Sequence, residues 1–261
     1  MLLAPIVWIL TVVICYFFVA QTWWFPPSIS QHGALYDAQF MRTLVVVGVV
    51  FFLAQFALGY VIVKFRDDGG RADYSHGNNK LEALWTSAAA VLFVGLILTG
   101  ANIWAQVHFE DAPAGAIEVE VMAKQFAWSF RYPGPDGKFG RTDLKLINDA
   151  AGNPMGIDEK DPAGKDDIVS ASLRVPAGKP VKLLLRSRDV IHNFFVRELR
   201  LKQDLVPGMD IPFHFQADKT GIYEVPCSEL CGLGHYQMRT TLQVLSEAEF
   251  EQWQQQQAQN Q

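Results

Sequence analysis

Apolar and polar positions divide the chain into two unlike parts. Three stretches run without a charged side chain: Leu2 to Ala20, Thr43 to Val63 and Ala83 to Val107. A bilayer is crossed by roughly 20 consecutive apolar residues, so the pattern predicts three membrane helices. Beyond Phe109 the runs become short and alternating, as strands with one buried face require. Strands are predicted in "IEVEVMA" at 117, "FAWSFRY" at 126, "SLRV" at 172, "PVKLLLRS" at 180, "VIHNFFV" at 190, "IPFHFQA" at 211, "GIYEV" at 221 and "RTTLQVL" at 239. Many short strands of this spacing imply a β-sandwich or barrel. "YPGPDGKFG" between the first strands is a turn, because its Pro and Gly fix or free φ as turns need. The polar segment Asn148 to Asp167 reads as a long surface loop.

The end of the chain has its own signal. Ser246 followed by Glu249 is a capping box, so "SEAEFEQW" starts a short helix, and the "QQQQAQNQ" tail after it need not be ordered. The expected organisation is a transmembrane helical region at 1–108, an all-β domain at 109–246, and a C-terminal helix with a Gln-rich tail at 247–261.

Charge orients this arrangement. The segment from Lys64 to Lys80 carries Lys64, Arg66, Arg71 and Lys80, whereas Gln21 to Met41 carries no Lys or Arg. By the positive-inside rule the 64–82 loop is cytoplasmic, which puts the N-terminus in the cytoplasm and the β domain outside. Trp23 and Trp24, after the first stretch, suit an aromatic belt at headgroup level. The first stretch has no basic start and a poor small-residue cleavage site, so a retained helix is expected rather than a signal peptide. The first 105 residues hold five basic and five acidic side chains, so the net charge of −5 falls wholly on the exterior part. That acidity serves solubility or steers a basic partner. No nucleic-acid partner is expected.

Candidate chemistry is concentrated in "CSELCGLGHYQM", Cys227 to Met238. Cys15 lies in the first apolar stretch and reads as a small filler. An oxidising exterior allows a disulfide between Cys227 and Cys231, but a disulfide makes no use of His235 or Met238. Zinc suits two cysteines and two histidines, with His192 of "DVIHNFFV" as the second imidazole. Methionine weighs against zinc, since a thioether is a soft, weak ligand typical of copper sites. Two thiolates can bridge two copper ions, each with one imidazole and one weak axial donor. His192 and His235 are then the imidazoles, Met238 one axial donor and the backbone carbonyl of Glu229 the other. A rigid two-metal cage with no open position passes electrons rather than activating a substrate.

With these residues in view, the chain resembles subunit II of the haem-copper oxidases. The resemblance runs over most of residues 40 to 245, through "KLEALWT" at 80, "KQFAWSF" at 124, "DVIHNFFV" at 189, "LKQDLVPG" at 201 and "GIYEVPCSELCGLGHYQM" at 221. It implies a cupredoxin-like barrel with a binuclear copper centre, CuA, held by His192, Cys227, Glu229 (through its carbonyl), Cys231, His235 and Met238. It also implies a magnesium ion on the Glu229 side chain at the boundary with subunit I, and a proton-uptake path whose mouth is Glu82. Haem is then confined to a partner subunit. The implied partners are subunit I, subunit III, membrane lipid, and cytochrome c or a similar donor. The implied location is the bacterial inner membrane, with the copper domain in the periplasm.

Three departures accompany the resemblance. Phe126 stands where the family typically has the tryptophan that receives the electron, while Trp128 is kept. "WTSAAA" lacks the usual proline after "WT", and the first helix is additional to the family's common two. No Cys-x-x-Cys-His is present, so no fused cytochrome c domain is expected. Two other functions fit part of this pattern: the same electron-accepting role in a nitric oxide reductase, and a membrane-tethered copper-binding module without a redox partner.

Overall fold

The computed structural model describes residues 2–21, 25–67, 69–71, 74 and 76–259. Trp23 and Trp24, expected in an interfacial belt, lie outside the described residues. The chain separates into two compact units, one of Met1–Pro26 with Asp37–Ile103 and one of Pro27–Tyr36 with Trp104–Gln261.

The first unit is helical. Helices α1 (Leu3–Ala20), α2 (Gln31–Lys64) and α3 (Asn79–His108) cover the three uncharged stretches and extend beyond the latter two at both ends. Each is long and apolar enough to span a bilayer. Their large apolar side chains are mostly exposed, the reverse of a water-soluble bundle. The helices meet at small residues and polar donors. Trp8 of α1 lies over Gly59 of α2 and donates its indole N–H to the Phe56 carbonyl at 3.2 Å, filling the space a Cβ at position 59 would need. Gln39 of α2 donates to the Leu96 carbonyl at 3.2 Å and to Thr99 Oγ1 at 3.0 Å on α3. Such groups satisfy one another because hydrocarbon offers no alternative partner.

The second unit is a β domain built around one main core. Its strands are β1 (Ile117–Lys124), β2 (Ala127–Tyr132), β3 (Ile168–Ser170), β4 (Leu173–Pro176), β5 (Pro180–Ser187), β6 (His192–Val196), β7 (Leu201–Leu205), β8 (Ile211–Gln216), β9 (Gly221–Pro226) and β10 (Arg239–Leu245). One sheet has the order β3-β2-β1-β5-β8, a second β4-β10-β9, and β6 pairs with β7. β1 runs parallel to β5, with Val119 opposite Leu183 and Val121 opposite Leu185. Alternation decides which faces go inward: in β5, Val181, Leu183 and Leu185 are buried, while Lys182 and Arg186 stay partly exposed. Phe130, Phe194, Phe215, Val225 and Leu242 join them in the core.

Each predicted strand is present, and two further ones lie between them. β3 spans three residues, and β7 buries only Leu201 and Leu205, so its polar middle hides the alternation. The 148–167 segment departs from a simple surface loop. Met155 and Ile157 pack with Met122 in a satellite core, and Asp167 is buried against Arg131. The capping box forms as expected, with Glu249 N–H donating to Ser246 Oγ at 3.3 Å and Ser246 N–H to the Glu249 carboxylate at 2.9 Å. Helix α4 (Glu247–Gln259) runs on into the glutamines, for which the sequence required no order, and is anchored by Phe250 and Trp253 in the core.

Candidate metal centre

Two pieces of chain carry the soft side chains. His192 opens β6, and the β9–β10 loop, 227–238, carries the rest. The loop is tied down at several backbone points. Cys227 bridges Phe194 of β6, and Ser228 N–H donates to the Asn193 carbonyl at 3.1 Å. Cys227 N–H donates to the Met238 carbonyl at 2.9 Å, which closes the loop on itself. Between them, Gly232 takes φ +136°, a conformation closed to residues with a Cβ, and a 3-10 turn at His235–Gln237 brings His235 and Met238 back over the cysteines.

The donor atoms converge. The sulfurs of Cys227 and Cys231 are 3.8 Å apart, against about 2.05 Å for a disulfide, and both thiols are free. His192 Nδ1 lies 3.8 Å from Cys227 Sγ, and His235 Nδ1 lies 3.6 Å from Cys231 Sγ. Met238 Sδ is 3.7 Å from Cys231 Sγ, and the Glu229 carbonyl is 3.2 Å from Cys227 Sγ. Each sulfur therefore has its own imidazole and its own weak donor. A thiolate bond of about 2.3 Å and an imidazole bond of about 2.0 Å, opened at a tetrahedral angle, leave the two donors about 3.5 Å apart. The observed spacings fit donors that share ions. His192, Cys227, Cys231 and Met238 are buried, His235 is half-buried and the Glu229 side chain is exposed.

Electrostatics separates the two thiols. Burial pushes Cys227 up, but hydrogen bonding from His192 and the Asn193 backbone outweighs it and brings the thiol to about 6. Burial and the adjacent Cys227 sulfur push Cys231 up to about 11. Two thiolates side by side repel, so both ionise only when positive charge sits between them. The pair is thus arranged for a cation.

One residue of the site escaped the sequence reading. Asp189 accepts from His192 Nε2 at 2.8 Å and from Gln125 N–H at 2.7 Å. Burial works to raise its pKa, and the hydrogen bonds from Gln125, His192 and Val190 leave it lowered. An acid three residues before a ligand-type histidine was the available signal, since metal-bound histidines commonly pass their second N–H to a carboxylate. Gln125 also donates to the Cys231 carbonyl at 2.5 Å, joining the β1–β2 turn to the loop.

The aromatic residues take different positions. Phe126 is 39% exposed, and its ring lies where a Cβ on Gly232 or Gly234 would stand. Trp128 is buried, edge-on to His192 with ring centres 6.3 Å apart. Its indole N–H has no partner among the described residues. Glu82 is not part of this constellation: it sits exposed in the first turn of α3, in the helical unit.

Residues 117–245 match the family described as the periplasmic domain of cytochrome c oxidase subunit II. Over 244 residues the chain is 40% identical to the alternative cytochrome c oxidase subunit 2 of Bradyrhizobium diazoefficiens, covering 92% of this chain and 86% of that one. It is 31% identical over 256 residues to cytochrome c oxidase subunit 2 of Thermostichus vulcanus, covering 88% and 77% respectively. The crystal structure of the periplasmic domain of subunit II from Bradyrhizobium japonicum aligns at 26% identity and a TM-score of 0.42, over 57% of this chain and 97% of that one. With three apolar helices ahead of a periplasmic-type β domain, the chain belongs to the cytochrome c oxidase subunit II family, membrane-anchored oxidoreductase subunits of haem-copper oxidases.

Proposed function

We propose that this chain is the electron-accepting subunit of a respiratory oxidase, and that His192, Cys227, Cys231, His235, Met238 and the Glu229 carbonyl hold a binuclear copper centre. The observation that carries this reading is the sulfur pair at 3.8 Å with an imidazole beside each sulfur and a thioether beside one. Bound there, the copper pair supplies one-electron redox chemistry. The protein's part is to hold the donors still: the loop is fixed to β6 and to itself by backbone hydrogen bonds, so little has to move when charge arrives. Burial of both cysteines and of His192 keeps water from the sulfurs.

In this reading Phe126, half-exposed over the ligand loop, marks the surface where an electron donor such as cytochrome c meets the domain. The domain's negative charge draws in a basic donor. Trp128 and His192 lie on the inward side. Electrons then pass to haem in subunit I, where oxygen is reduced. The exposed Glu229 carboxylate serves a magnesium ion shared with subunit I, and Glu82 the mouth of a proton path. The N-terminus is cytoplasmic, the β domain periplasmic, and subunit III completes the assembly.

The purified complex tests this reading. Two copper ions per chain are expected, with oxygen consumption supported by a reduced cytochrome. Replacing Cys227 by Ser should remove the copper and donor oxidation together while the β domain stays folded. Zinc in place of copper, or donor oxidation unchanged in the Cys227→Ser variant, overturns the proposal. Consumption of nitric oxide instead of oxygen would retain the copper site and reassign the acceptor.

A further inference from the structure

An apolar cleft of about 650 Å³ lies between α1 and α2, lined by Ile14, Phe18 and Val19 on one side and by Leu44, Gly48 and Phe52 on the other. Two glycines of α2 show how it arises. At Gly59 the Trp8 ring fills the space a Cβ would take, and its indole N–H bonds the Phe56 carbonyl. Gly48 lies about three turns away on the same face of α2, and among the described residues a Cβ there would meet nothing within 4 Å. One glycine seats a side chain of α1, and the other borders a gap.

The cleft has the dimensions of one leaflet. Among the described residues no charged side chain lines it, and both walls belong to helices fit to cross a bilayer. On α2 the lining runs from Met41 to Leu53, about 18 Å at 1.5 Å per residue, close to the roughly 15 Å that one leaflet contributes to the hydrocarbon core. Arg42 follows Met41 at the end of this lining and is the one Lys or Arg between Gln21 and Val63. Its exposed side chain donates to Gln39 Oε1 at 3.1 Å, which uses one of the five guanidinium N–H donors. Gln39 is itself bonded to Leu96 and Thr99 of α3, so the cation is tethered to a fixed group.

Cleft and cation together call for an amphiphile. The cleft alone would suit any apolar group and the arginine alone any anion, whereas a phospholipid presents a hydrocarbon chain and a phosphate joined at the membrane surface. Arginine takes phosphate in a two-pronged hydrogen-bond geometry that a neutral headgroup cannot offer. We propose that α1 and α2 form a resident phospholipid site, with one acyl chain in the cleft and the phosphate on Arg42. This exceeds the lipid contact of any membrane helix, because the chain inserts between two helices instead of lying against one. With the N-terminus cytoplasmic, as proposed above, the site opens to the outer leaflet. Bound there, the acyl chain supplies the contacts missing at Gly48 and ties α1 to α2 where Trp8 does not reach.

The test places the full chain in vesicles of phosphatidylethanolamine and phosphatidylglycerol that include a phosphatidylglycerol with a photoactivatable acyl chain. After illumination, peptide mass spectrometry should find adducts on Phe18 and Leu44 in clear excess over Val91 and Phe93 of α3, whose exposed side chains report ordinary bilayer contact. Arg42→Gln should lower labelling of the cleft about fivefold and leave that of α3 unchanged. Gly48→Phe puts a ring where the acyl chain lies and should remove most of the cleft labelling. Gly48→Leu does the same with a smaller group, should the ring disturb the helix pair. Cleft labelling no higher than that of α3, or undiminished in both Gly48 variants, overturns the proposal and leaves a groove wetted by bulk lipid. Full labelling in Arg42→Gln overturns it too, since the cleft would then accept any hydrocarbon tail. The purified complex should give the same adducts, and their absence there would put a partner's helix in the cleft and equally overturn the proposal.

Discussion

Asp189 Oδ1 accepts the Nε2–H of His192 at 2.8 Å, while the opposite ring nitrogen, Nδ1, faces the Cys227 sulfur at 3.8 Å. The carboxylate thereby fixes both the tautomer and the ring plane of the buried imidazole. Releasing it frees the ring to rotate and lowers the basicity of Nδ1. Asp189→Ala should therefore weaken metal retention by about 10–100-fold, and Asp189→Asn by less, because an amide oxygen still accepts the hydrogen bond. Competition against a chelator of known affinity measures this. Equal retention in wild type and Asp189→Ala would show that His192 needs no orienting partner.

The Phe126 ring occupies the space in front of Gly234, whose own φ is not in the left-handed region. A methyl group there is opposed by the ring and not by the backbone, so Gly234→Ala should cost about 1–3 kcal/mol of stability through overpacking. Phe126→Ala in the same chain should recover most of that loss, a coupling visible in a double-mutant cycle. Additive effects of the two substitutions would mean the ring yields freely.

Most of this arrangement was legible in the sequence, for reasons that differ by element. The helices were readable because uncharged runs as long as Ala83 to Val107 have few other uses, and β5 because a short, largely apolar run bounded by Lys179 and Pro180 on one side and Arg186 on the other suits a strand with one buried face. The soft donors of 227–238 were readable because so many of them stand within one short loop. What escaped depends on contacts between distant residues. β7 is defined by its pairing with β6, and Asp189 is meaningful only once its oxygen is seen on His192. The burial of Met155, Ile157 and Asp167 in a polar segment follows from where β1 and β2 place Met122 and Arg131. No local pattern records those positions.

Arg131 is the largest charged group in the core. Its guanidinium bonds Asp167, Glu120 Oε2 at 2.7 Å and the Gly140 carbonyl at 2.5 Å, and stacks over Phe139 at 5.1 Å. Removing Asp167 leaves the buried guanidinium with Glu120 as its one carboxylate and strands the Gly140 N–H, so Asp167→Ala should destabilise the β domain by about 3–5 kcal/mol. At about 2–4 °C per kcal/mol, the melting temperature should fall by roughly 10 °C. Arg131→Met combined with Asp167→Leu should lie much closer to wild type, because the desolvation cost disappears along with the pair. Thermal unfolding followed by near-UV circular dichroism distinguishes the two. A mild Asp167→Ala phenotype would mean that water or Glu120 compensates the cation.

Asp149 provides a pH-dependent contribution whose sign can be stated in advance. It accepts from Lys124 Nζ at 2.7 Å and Arg188 Nη1 at 3.0 Å, tying the 148–153 turn to the end of β1. Those hydrogen bonds, Lys124 first, hold its pKa below the usual carboxylate value. A carboxyl whose folded pKa is depressed stabilises the fold above its unfolded value of about 3.9 and loses that contribution as pH falls through the folded one. The pair is largely solvent-exposed, so the effect is at most about 1 kcal/mol, or about 2–4 °C in melting temperature. Asp149→Asn should accordingly melt slightly lower than wild type at pH 7, and the two should converge as pH drops below about 4. High salt should narrow the gap at pH 7, since the charges are screened. Melting curves recorded between pH 3 and 7 provide the measurement, and a gap that persists undiminished at pH 3 would locate the effect in packing of the turn rather than in its charge.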